Sequence, residues 1–226
     1  MKIFSAKSWW WKILGLVLLF YTYYQGFFGE VPRIPILNET IRNLYFHVTM
    51  WMAMLVLMLC NAIYGILYLK RGRLPDDIVS AECARTAMVF GIAGLLTGMI
   101  WANFTWGQPW VNDPQLNGTA ATLLIYAAYF ILRNAVADEK QRAKLAGVYA
   151  IFAFMMMIVF IMVLPKMTDS LHPGKGGNPG FNKYDLDDNM RRVFYPAVIG
   201  WTLLSVWATS LRVRLKKLEL DLSEND

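Results

Sequence analysis

Six stretches of this chain contain no Asp, Glu, Lys or Arg and are built almost wholly from apolar side chains: residues 13–28, 44–69, 86–107, 119–132, 145–164 and 193–211. A helix needs roughly 20 apolar residues, within a range of about 17–25, to cross a bilayer, and most of the six are near that length. The fourth is short; it is expected to run from about residue 116 to 137, with Arg133 snorkelling towards the headgroups. The chain has 226 residues, 57% hydrophobic against 17% charged, which excludes a disordered or highly solvated protein. The expected fold is all-α and polytopic, with six transmembrane helices in a single membrane domain over residues 1–226, no internal repeat and short outer-face loops.

Orientation follows from Lys and Arg. With the N-terminus inside, the inner segments hold fifteen of the 22 basic residues, and the outer segments hold seven, diluted by Asp169, Asp185, Asp187 and Asp188. The positive-inside rule then places both termini in the cytoplasm. The net charge of +6 is read as this orientation signal and not as a nucleic-acid footprint. Trp9, Trp10 and Trp11 read as an interfacial anchor ahead of the first span. Lys2, Lys7 and Lys12 before an apolar core resemble a signal peptide, but the bulky run at residues 21–25 is followed by no small-x-small site, so the segment is read as a retained anchor. The outer segments are residues 29–43, a middle loop within 101–118, and 165–192, which contains the helix-breaking run at 173–180. The inner connections, around 71–84 and 133–144, read as short polar loops.

No span carries an ionisable group away from its ends, which argues against ion-coupled transport, proton pumping and voltage sensing. There is no phosphate-binding GxxxxGK[ST] loop, so ATP-driven work would need a partner. Cys60 and Cys83 form neither CxxC nor CxxCH and are read as free thiols that pack.

The chain has two histidines, His47 and His172, and on this topology both sit at the outer water–lipid boundary at similar depth. Two readings stand. Each imidazole bonds a loop carbonyl, or the pair supplies the axial ligands of one metal centre, as a flat macrocycle would require. A structural zinc would want four ligands, and no Cys, Asp or Glu cluster lies near both. A b-type redox subunit relaying electrons across a bilayer would want four helix-borne histidines. The middle outer loop holds Trp101, Trp106, Gly107, Pro109, Trp110 and Asp113, with no Lys or Arg. It suits an interfacial aromatic belt or an apolar shelf for a ligand. Asp113, ahead of Pro114, is expected to cap the following helix near Leu116.

Three segments carry a family resemblance. Residues 106–116, WGQPWVNDPQL, resemble the tryptophan-rich WWD signature of the haem-handling proteins of cytochrome c maturation. Residues 41–48, IRNLYFHV, resemble that family's "YxHV" span start, and residues 170–174, SLHPG, its "LHxG" outer loop. The order and the side agree, and the likeness, closest to the small CcmC type, covers about residues 41–214. It implies a haem exporter and delivery subunit of the bacterial cytoplasmic (inner) membrane, with its site on the periplasmic side. His47 and His172 would be the ligands of a transient, non-covalent haem b. Trp106, Gly107, Trp110 and Asp113 would form the haem platform, with Trp51 and Trp101 also cofactor-binding. The implied partners are a periplasmic haem chaperone of the CcmE type, an ATP-binding-cassette pair (CcmA and CcmB), the small membrane subunit CcmD and the lipid bilayer, with no nucleic acid. The resemblance implies a transfer protein and not an enzyme.

The chain departs from the family's pattern where a Trp is Asn112 and an Arg is Gln115. Arg42, Lys175 or Arg191 are candidate cations for propionates. The rival readings are a cytochrome c haem lyase acting directly on apocytochrome, and the b-type redox subunit.

Overall fold

The computed structural model describes residues 8–33, 37–172 and 186–223, and among these every regular element is helical. In chain order they are α1 (Trp10–Phe28), a 3-10 helix (Asn38–Tyr45), α2 (His47–Arg71), α3 (Leu74–Trp106), α4 (Pro114–Ala135) and α5 (Glu139–Met157). A π-helical turn (Ile158–Val163), α6 (Leu164–Met167) and α7 (Asp188–Ser223) follow. In hydrocarbon every backbone N–H and C=O must be satisfied within the segment, which is why the apolar runs become helices.

Five helices among the described residues are long and apolar enough to cross a membrane: Asn38–Arg71, Leu74–Trp106, Pro114–Ala135, Glu139–Met167 and Asp188–Ser223. These cover the second to sixth apolar stretches, and they make the chain a multi-pass membrane protein. The first stretch forms α1, but Tyr21, Thr22, Tyr23, Tyr24 and Gln25 lower its mean hydropathy and it is not among the five.

Polar residues fix the helix starts. Asp113 caps α4, with Pro114 at its first turn, and Asp138 caps α5 by accepting from the Gln141 amide at 2.7 Å. The first turn of α3 holds Asp76 and Asp77, where the helix dipole favours negative charge. Gly72 (φ +63°) turns α2 into α3 in the left-handed region that only glycine enters freely. Pro165 lacks an N–H, which removes one rung of the helix ladder just after the π-helical turn. At the centre of the bundle α2 packs on α3, α5 and α7, with Met54, Leu57, Met58, Tyr126 and Met157 in the core. α1 packs chiefly on α7.

The inner connections differ from expectation. α3 begins at Leu74, so most of the expected loop at 71–84 is helix, and the second connection shrinks to residues 136–138. Ionisable groups therefore do lie inside a helix of the bundle, buried and paired. Arg133, 8% exposed, does not snorkel; it makes a bidentate pair with Asp77 at 2.7 and 2.8 Å. Glu82 is held by Arg85 and by Arg212, the latter at 2.7 Å. Charges removed from water need this pairing, and the pairs tie α3 to α4 and to α7. Trp11 also departs from a boundary anchor: it is buried, whereas Trp9 and Trp10 are exposed.

Candidate functional site

His47 opens α2 immediately after the 3-10 helix, and its ring meets α3. Its Nδ1 lies 2.7 Å from the Gly94 carbonyl oxygen. A carbonyl only accepts, so Nδ1–H is the donor and Nε2 carries the lone pair. The ring fits because α3 has glycine where it approaches. A Cβ at Gly98 would stand 2.5 Å from His47 Cε1, and one at Gly94 would stand 2.8 Å from Trp51 Nε1. His47 and Trp51, one helical turn apart on α2, thus sit in a notch made by two glycines one turn apart on α3.

His172 is held from α4. Its Nδ1 lies 2.9 Å from Asp113 Oδ1, and against a carboxylate it is again Nδ1–H that donates. The other Asp113 oxygen, Oδ2, accepts from Ser170 Oγ at 2.9 Å and from the Leu171 amide at 2.8 Å. Asp113 Oδ1 also accepts from the amides of Gln115 and Leu116 at 2.8 and 3.4 Å, the helix cap that the Asp-Pro pair led us to expect. Burial of the Asp113 carboxyl opposes ionisation, but the hydrogen bonds from His172, the Leu171 amide and Ser170 outweigh it. They hold the group well below the usual carboxylate range. Trp106 packs edge-on against the His172 ring at 5.0 Å between centroids, and Trp101 lies 6.3 Å from it.

His47 and His172 line one cavity of about 240 Å³, together with Trp51, Trp101, Gln115 and Thr119. Neither Nε2 has a protein hydrogen-bond partner among the described residues. Among the described residues the wall includes no Lys, Arg, Asp or Glu, and much of the rest is Leu, Ile, Val and Met. Two imidazoles, each held at Nδ1 and without a protein partner at Nε2, over apolar walls suit a flat, largely apolar metal complex. Among the described residues no group of three or more His, Cys, Asp or Glu comes together as a metal cage.

The other expected site residues fall as follows. Gly107 (φ +79°) ends α3 in the left-handed turn that starts the tryptophan loop. Trp110 does not line the cavity and is 36% exposed. Arg42 is committed elsewhere, with Nη1 donating to the carbonyls of Gly26 and Gly29 at 3.1 and 2.6 Å and Nε bonding Glu39 at 2.6 Å. Arg191 Nε donates to the Leu186 carbonyl at 3.0 Å. Lys175, and the helix-breaking run at 173–180, lie outside the described residues. Gly94 and Gly98 were missed from the sequence, although a small-xxx-small pair in an apolar helix signals close approach. The cavity methionines Met52, Met99 and Met162 were missed as well; in a chain with 13 methionines they carried no signal.

The family model for heme exporter protein C (CcmC) matches residues 1–225. A heme exporter protein C of Paracoccus denitrificans is 24% identical over 137 residues, covering 61% of this chain and 57% of that protein. One of Haemophilus influenzae is 27% identical over 150 residues, covering 64% of this chain and 60% of that protein. A cytochrome c biogenesis protein CcsA of Prochlorococcus marinus (strain MIT 9515) is 33% identical over 76 residues, covering 34% of this chain and 24% of that protein. The chain therefore spans less than two thirds of the length of the curated relatives it matches.

Proposed function

The chain belongs to the heme exporter protein C (CcmC) family, and from that premise we propose that it binds haem b non-covalently and transiently and delivers it for cytochrome c maturation. The observation that carries this reading is the pair of imidazoles, His47 and His172, each anchored at Nδ1 and each free at Nε2, on the wall of one uncharged cavity. In this reading His47 and His172 are the residues that would hold the iron, each through Nε2. Gly94 and Asp113 fix the tautomer and the angle of each ring, the role that outer partners play for metal-bound imidazoles. Trp51 and Trp101, on the cavity wall, would offer the macrocycle aromatic faces, and Trp106 braces the His172 ring. Trp110, exposed on the same loop, faces an incoming partner.

The porphyrin supplies a reactive vinyl edge when bound; this chain supplies position and control of oxidation state, and is no enzyme in itself. Two imidazoles held in this way would compete with oxygen for the iron. The reading takes the protein to be a six-span protein of a bacterial inner membrane, with α1 as the first span, both termini cytoplasmic and the site at the periplasmic face. The acceptor is a periplasmic haem chaperone of the CcmE type, and the working assembly includes CcmA, CcmB and CcmD.

The test is an absorption spectrum of the purified protein alongside His47→Ala and His172→Ala. The unsubstituted protein is expected to copurify with a bis-imidazole haem band, and each variant to lose it. Unchanged haem content together with unchanged cytochrome c output in both variants would defeat the reading.

A further inference from the structure

A porphyrin of the haem b type carries two carboxylates, yet among the described residues the wall of the cavity has no cationic side chain. Something neutral has to meet those charges where they are not in water. The wall offers few polar groups. Asn43 is committed, its Nδ2 donating to the Thr97 carbonyl at 3.2 Å. The indole N–H groups of Trp51 and Trp101 are donors set on apolar rings, and Gln115 and Thr119 add an amide and a hydroxyl one helical turn apart on α4, both on the cavity wall.

Gln115 is held firmly at its backbone, whose amide donates to Asp113 Oδ1 at 2.8 Å. Its side chain is different. Oε1 is buried without any hydrogen-bond partner among the described residues, an arrangement that is unfavourable in a protein interior. The amide NH2 at the same end of the side chain has no hydrogen-bond partner among the described residues, and Gln115 lines the cavity, so this donor is available there.

We propose that the Gln115 amide, with the Thr119 hydroxyl one turn further along α4, is a hydrogen-bonding contact for a porphyrin carboxylate. This rests on the haem reading above and deepens it. A neutral donor holds a carboxylate by direction and without net charge, so the grip changes little with salt and yields more readily than a guanidinium fork. That suits a protein whose cargo must leave.

The experiment uses the full chain in detergent, loaded either with haem b or with its propionate dimethyl ester, and follows release to excess apomyoglobin by absorbance. For Gln115→Leu we expect haem b to leave roughly tenfold faster, the loss of about one charge-assisted hydrogen bond, while release of the ester is unchanged. For Gln115→Arg we expect slower release of haem b and a rate that now rises with salt. Retention of the ester by the Leu variant is the control for folding. Equal release of haem b from the Leu variant and the unsubstituted chain, when the latter binds haem through His47 and His172, overturns this inference alone. Failure of the unsubstituted chain to take up haem overturns the haem reading and this inference together.

Discussion

The carboxylate of Asp113 lies 2.9 Å from His172 Nδ1, and the oxygen that makes this contact also caps α4. One residue therefore couples the start of a membrane helix to the orientation of an imidazole contributed from 59 positions further along the chain. Its two roles can be separated. Asn is as good an N-cap as Asp, but as a neutral amide it is a weaker acceptor for an imidazole N–H and leaves the tautomer unfixed. Asp113→Asn is expected to keep helix content and expression and to lower haem affinity about 10–100-fold. Asp113→Ala should lower affinity similarly and also cost about 1 kcal/mol of stability through the lost cap. Haem titration and thermal unfolding of both variants in detergent separate the effects; equal haem affinity in the Asn variant would show that the carboxylate does not position His172.

The notch under His47 makes a second prediction. Gly98→Ala adds a methyl group 2.5 Å from His47 Cε1 and 3.0 Å from Nδ1, so the ring must move and its bond to Gly94 must lengthen. Haem affinity should fall roughly tenfold or more, although alanine is the better helix former. Gly72→Ala is the control: nothing lies within 4 Å of its added Cβ and its positive φ costs about 1 kcal/mol, far from the site. Haem content per purified protein distinguishes the two. Equal content in both variants would mean that the Gly98 notch does not set the ring.

How much of this was legible in the sequence depends on what each residue needed as a signal. The helices after the first are legible because freedom from charge over a bilayer's thickness has few other uses. Asp113 was legible as a cap because Asp before Pro is a local signal. Its bond to His172 was not, since nothing local in the sequence says which loop a carboxylate faces. Asp77 and Arg133 misled for a related reason. Asp77 falls in what reads as a polar inner loop and Arg133 reads as a snorkelling charge at a helix end, and only the packing of α3 against α4 shows that they neutralise each other in a buried fork. Gln115 and the cavity methionines carry no pattern at all until α2, α3 and α4 are assembled around one space.

That buried fork is itself testable. Removing one partner leaves the other as an uncompensated charge, which typically costs about 3–5 kcal/mol, whereas replacing both by apolar residues of similar volume is often neutral. Arg133→Met is expected to destabilise the purified protein strongly in thermal unfolding. The double variant Asp77→Leu with Arg133→Met should recover most of the loss. Haem affinity of the double variant should match the unsubstituted chain, because the pair lies at the opposite end of α3 and α4 from His47 and His172. A double variant as unstable as Arg133→Met alone would show that Asp77 has a role beyond pairing with Arg133.

The course of the chain through the membrane turns on α1, which is not among the five helices long and apolar enough to cross. α1 packs on α7, with Lys12 and Thr22 buried, and a helix that covers such polar groups against a neighbour can cross with lower hydropathy than one facing lipid alone. If α1 crosses, residue 30 and residue 112 lie on one side of the membrane and residue 137 on the other. All three positions are exposed, so single cysteines can be placed there in a chain with Cys60 and Cys83 changed to Ser. In intact spheroplasts a membrane-impermeant maleimide should label Glu30→Cys and Asn112→Cys at similar rates and leave Ala137→Cys unlabelled until the membrane is opened. Because these positions follow α1, they fix the side of the later helices; a tag on the N-terminus that stays protease-protected in the same spheroplasts then shows that α1 has crossed. A tag cleaved from outside while Glu30→Cys is labelled from outside would mean that α1 lies on the membrane surface and that the chain crosses five times.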